Sequence, residues 1–172
     1  MHDLRNGLGV VGVQLEALLL RALGPLADEA RARGHGDAAA LAVETLAAQL
    51  DALAAFARGG GRDLATVAAE AAALVPMRRI AVSGFPADGP PTALAPALLR
   101  AIVLELLLHA LDAAGPWALA GGIDPDGRPA LVVRAGRPLG PAVAAERLVQ
   151  TAHPEASLAL RDGTLVLTCP TS

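Results

Sequence analysis

Two runs of apolar residues at coiled-coil spacing restrict what the first third of this chain can become. Leu4, Leu8, Val11, Leu15, Leu18 and Ala22 are separated by 4, 3, 4, 3 and 4 residues. That is the narrow seam one helix presents to another, and not the wider stripe of a helix lying on a globular core. Gly24 and Pro25 end the segment, because glycine weakens a helix and proline cannot donate into one. A second segment starts after "GHGD", where Asp37 can cap it, and carries Val43, Leu46, Leu50, Leu53 and Ala57 at spacings of 3, 4, 3 and 4 before it ends near Arg58. The two read as a helical hairpin. A hairpin alone leaves one side of its seam exposed, so the economical arrangement joins two copies into a four-helix bundle, and a homodimer is expected.

"RGGGR" at residues 58–62 separates this part from one of different character. The domain boundary is placed there, with the hairpin at 1–60 and a second domain at 61–172. The second domain reads as a helix from Asp63 to about Val75, strand "RRIAVSG", loop "FPADGPP" and a long helix from about Pro96 to Ala114. Strand "WALAGGI", turn "DPDG", strand "PALVVRA", a helix near "PAVAAERLVQTA" and a hairpin "SLALRDGTLVLTC" turning at Asp162-Gly163 complete it. The fold class is therefore α+β: a helical hairpin followed by an α/β sandwich with helices on one face of a sheet.

Charge and composition remove several functions. A net charge of −3 and an aromatic content of 2% provide neither the basic stripe nor the stacking platforms of a nucleic-acid surface. The apolar run "AIVLELLLHALDAAG" is interrupted by Glu105, His109 and Asp112, so no segment reaches the roughly 18 to 20 residues needed to span a bilayer. No basic leader precedes an apolar core. A single cysteine, Cys169, excludes an internal disulfide, and its apolar surroundings place it in the core. A cytoplasmic location is expected, with no membrane and no nucleic-acid partner.

The opening "HDLRNGL" is at odds with the helix it begins, since it combines a titratable cluster with glycines. His2 and Asn6 are four residues apart and fall opposite the leucine seam, with Gly9 and Val13 continuing that face. A solvent-facing imidazole is a competent nucleophile toward phosphorus near neutral pH. Asp3 can accept a hydrogen bond from its second nitrogen, which fixes the tautomer and raises the basicity of the first. Asn6 can bond a phosphoryl oxygen or position a water. Gly9 costs about 1 kcal/mol relative to alanine, but lets another backbone approach closely. From the residues alone, a frayed first turn with an ordinary exposed His2 is the competing reading.

"HDLRNGL" followed by a leucine seam resembles the H-box of bacterial sensor histidine kinases, with His2, Asp3 and Asn6 at the matching positions and Gly7 where that family commonly has proline. The resemblance continues in order through "LAAFAR", "DLATVAAEAAALV" and "LLRAIVLELLLHALDAAG", which is similar to the N-box helix. Glu105 is in place there, but His109 stands at the position of an asparagine that helps hold magnesium. The loop "VVRAGRPLG" has Arg134, Ala135 and Gly136 where the family's adenine-contacting Asp is expected. No glycine-rich lid is found between Leu139 and Ser157.

With these departures, the chain resembles kinase-derived histidine phosphotransferases, dimers that keep the histidine bundle beside a degenerate, histidine-kinase-type (GHKL-like) catalytic domain. The resemblance implies a phosphorelay protein that exchanges a phosphoryl group between His2 and the Asp of response-regulator receiver domains. Asp3 and Asn6 assist, and Arg5, Gly9 and Val13 lie on the docking face. No cofactor and no bound metal are implied, ATP binding being lost and Mg2+ coming from the receiver. A pseudokinase-like adaptor that binds a regulator without accepting phosphate is the first alternative, and an ATP-dependent kinase fragment the second. Among the remaining residues, His109 is expected to be packed or partly exposed, and Trp117 to pack in the core of the second domain.

Overall fold

The computed structural model describes residues 48, 51–75, 78–86 and 89–172. Of the expected hairpin, Ala48 and residues 51–60 are described, helical to Arg58, with Leu53 of the seam buried and Ala57 exposed; the rest of the seam and its pairing lie outside the described residues. From Phe56 to Ser172 the chain forms one compact unit.

That unit contains α1 (Leu64–Ala73), β1 (Ile80–Ser83), α2 (Pro96–Leu111), β2 (Trp117–Ile123), β3 (Pro129–Arg134), α3 (Val143–Ala152), β4 (Ser157–Arg161) and β5 (Thr164–Thr168). The strands form one sheet in the order β1-β2-β3-β5-β4. β1 and β2 are parallel, joined by the crossover helix α2, and the other pairs are antiparallel. Leu119, Leu131, Val133, Leu165 and Leu167 alternate along their strands and are fully buried, whereas Ala118, Ala120, Val132, Val166 and Thr168 between them are half-exposed. The sheet thus has one dry face, under the helices, and one wet face.

Local chemistry sets the ends of the elements. Asp63 caps α1, its carboxylate accepting from the amides of Ala65 at 3.2 Å and Thr66 at 2.9 Å. Burial pushes the Asp63 carboxyl up, but the Thr66 hydroxyl and these two amides outweigh it and hold the group below its ordinary range. Proline is tolerated at the start of α2, where the first amide has no helical partner. α2 stops at Leu111, short of the expected Ala114. The indole N–H of Trp117 donates to the carbonyls of Ala110 at 3.0 Å and Ala113 at 3.1 Å, and the Ala114 carbonyl accepts from the Gly136 amide. Those carbonyls are satisfied by partners that lie off the helix axis.

β1 is shorter than "RRIAVSG" suggests, because Gly84 takes φ +75° after Ser83. Upstream of it, the Arg78 guanidinium lies 5.1 Å from the centre of the Trp117 ring. Trp117 is therefore half-buried at the sheet margin and not in the core, where it was expected. The β4–β5 turn is as expected: Asp162 and Gly163 both have positive φ, 49° and 71°, the primed geometry that suits a twisted hairpin.

Cys169 is fully buried, and burial pushes its thiol up to about 12. Native protein at pH 8 should therefore resist alkylation by iodoacetamide, and denatured protein should react at once. Comparable rates in the two states would place the thiol at the surface.

Candidate functional site

His2, Asp3 and Asn6, together with Arg5, Gly9 and Val13, lie outside the described residues. Among the described residues, the titratable side chains that interrupt the apolar α2 are Glu105 and His109, with Asp112 at its C-cap, at spacings of 4 and 3 along a helix otherwise walled by buried leucines. His109 is half-buried, as expected. Its Nε2 lies 3.1 Å from the Gly140 carbonyl. A carbonyl only accepts, so Nε2 carries the proton and is the donor. The same nitrogen has no lone pair left for a metal ion. Glu105 and Asp112 each have interactions of their own.

Gly140 belongs to the eight residues 135–142 that join β3 to α3. This connection is fixed along its length. The Gly136 amide donates to Ala114 at 2.8 Å, three residues beyond α2, and the Leu139 amide donates to Gly163 at 2.7 Å, in the β4–β5 turn. Leu139 and Ala142 are buried. A Cβ at Gly136 would run into the Gly115 carbonyl, and one at Gly163 into Pro138, so the backbones pass too closely for any side chain there. The connection is thus a short strap laid over the C-terminal half of α2, held by hydrogen bonds to α2 and to the hairpin turn.

Arg100, to which the sequence motifs above assign no role, is the most constrained charge in the described residues. It sits on α2 with 2% of its surface exposed. Nη1 donates to the Gly61 carbonyl at 2.9 Å, and Nη2 pairs with the Glu70 carboxylate of α1 at 2.5 Å. The guanidinium carbon lies 5.3 Å from the centre of the Phe56 ring. Nε is buried without a partner. A Cβ on Gly59 would fall inside the guanidinium, so this glycine makes room for a buried cation. The "RGGGR" tract, which reads as a break and is non-helical from Gly59 to Arg62, is therefore also a receptor for Arg100. The available signal was a lone arginine inside the apolar run "PALLRAIVLELLLHAL": a charge with no polar stripe to join must find a partner from elsewhere in the fold.

No family model and no curated protein matches the chain. Among solved structures, the blue-light activated histidine kinase of Erythrobacter litoralis EL346 is similar to it with a TM-score of 0.48 and 16% sequence identity, over 88% of this chain. The chain spans 63% of that protein's length. Among the described residues, no helix is long and apolar enough to cross a membrane.

Proposed function

We propose that this chain is a histidine phosphotransferase of a two-component phosphorelay, working as a homodimer. The unprotonated nitrogen of His2 attacks the phosphorus of a receiver-domain aspartyl phosphate. An N–P bond forms as the acyl O–P bond breaks, and the aspartate leaves as a carboxylate; the reverse step passes the group on. Asp3 holds the proton on the second ring nitrogen, and Asn6 contacts a phosphoryl oxygen. Arg5, Gly9 and Val13 form the surface on which the receiver sits, and the receiver brings its own Mg2+.

The observation that carries the ATP-independent part of this reading is the hydrogen bond from His109 to Gly140. At the position where the resemblance expects a magnesium-holding asparagine stands a histidine, and its Nε2–H is spent on the protein's own strap. The strap is the eight-residue connection in place of a glycine-rich lid. A histidine whose Nε2–H is held by the chain's own strap offers no metal ligand from that nitrogen.

The test is incubation with a phosphorylated receiver domain and, separately, with millimolar MgATP. Label should move from the receiver to this chain, and MgATP should leave the melting temperature unchanged. A rise of several degrees with MgATP would restore the kinase reading. Sedimentation equilibrium at micromolar concentration should give twice the chain mass; a folded, stable monomer would remove the bundle from the proposal.

A further inference from the structure

On the wet face of the sheet, arginines collect at one end. Arg134 ends β3 and follows the Val133–Leu165 pair, so it stands beside Thr164 of β5 and opposite Ala118 of β2. Arg161 of β4 pairs directly with Thr164. Both therefore share the face opposite buried Val133 and Leu165, with Cα atoms roughly 10 Å apart across two strand spacings. Arg137 follows three residues later on the strap, next to Pro138, which abuts Gly163 of the same turn. All three are exposed, and none makes an ion pair among the described residues. By contrast, Arg100 and Arg128 are both paired with carboxylates. Asp162, in the turn itself, is the nearest acid in sequence. One row inward, Ala120, Val132, Val166 and Ala159 lie side by side across four strands, half-exposed.

We propose that this corner is a docking surface for an acidic amphipathic helix of a partner protein, whose carboxylates meet Arg134, Arg137 and Arg161 while its apolar side rests on Val132 and Val166. This proposal does not depend on the phosphotransfer reading. Guanidinium groups take carboxylates and phosphates alike in bidentate fashion, and two features select the carboxylate. The valine row needs an apolar counterpart, which a phosphate backbone lacks. A chain of net charge −3 with one Trp, two Phe and no Tyr repels dense polyanions and has few rings for stacking bases. Three unpaired cations in an acidic chain are complementary to isolated carboxylates on a partner surface.

The experiment is a titration of the isotope-labelled full chain with a short helical peptide of glutamate and leucine at low salt, followed by amide shifts. Shifts are expected at Arg134, Arg137, Arg161, Val132 and Val166, fading as salt is raised. An Arg134→Ala/Arg137→Ala/Arg161→Ala variant should melt like wild type, since all three side chains are exposed, and bind about tenfold more weakly. If the triple variant melts early, Arg161→Ala alone should show the same direction. No shifts, shifts confined to another surface, or equal binding by the variant would overturn the proposal. So would a DNA duplex or phosphatidylglycerol vesicles that occupy the corner more tightly than the peptide, because phosphate would then be its ligand.

Discussion

Replacing His2 with alanine should reduce phosphoryl transfer from a phosphorylated receiver to the background of the assay. The substitution removes the only atom proposed to carry the group, so no partial activity is left for positioning residues to provide. The neighbouring substitutions separate nucleophile from geometry. Asp3→Asn keeps the imidazole but releases its tautomer, and should slow transfer by about 100-fold or more. Asn6→Ala keeps both and should lose less. Equal label on wild type and His2→Ala would place the acceptor elsewhere. An absence of label on wild type, with receiver binding intact, would favour the adaptor reading.

The second large effect is on stability, and its asymmetry is the informative part. Glu70→Ala strips the buried Arg100 of its carboxylate and leaves a cation in the core with one carbonyl and one aromatic face. Breaking a buried pair in this way costs about 3 to 5 kcal/mol, and the lower end applies because Glu70 is 44% exposed. Arg100→Met should cost much less than Glu70→Ala, since the charge leaves together with its desolvation penalty and a similar volume is refilled. The double variant should then recover most of the loss caused by Glu70→Ala, a coupling that a double-mutant cycle measures directly. Gly59→Ala should destabilise by about 1 to 3 kcal/mol through the clash with the guanidinium, and the penalty should shrink in the Arg100→Met background. Trp117, the single tryptophan, reports denaturant unfolding of this unit by fluorescence. Equal losses for Glu70→Ala and Arg100→Met would mean that the ion pair is not what ties these residues together.

The elements of the second domain were legible almost residue by residue. The alternation of "PALVVR" and "TLVLT", the Asp162-Gly163 turn and the apolar run of α2 are all local signals, decided by neighbours within about one turn or two strand residues. Where the reading erred, a distant partner decided. α2 ends at Leu111, and Trp117 and Gly136 take the carbonyls of Ala113 and Ala114 just beyond it. Trp117 sits at the margin because its indole N–H serves that purpose. The "RGGGR" tract is the non-helical break it reads as, but three glycines carry no sign of what fills the space beside them. The proposed site at His2 rests on sequence alone.

By itself, then, the sequence determined the kind and order of the elements from β1 to β5, since periodicity and turn chemistry act over a few residues. Only the tertiary structure decided the strand order that puts β5 between β3 and β4. It alone decided the burial of Arg100 against a glycine tract 39 residues away and the His109 bond that fastens a strap 31 residues on. The physical reason is the same in each case. A buried polar group must find a partner, and where that partner lies in the chain is fixed by how the layers pack, which no local pattern encodes.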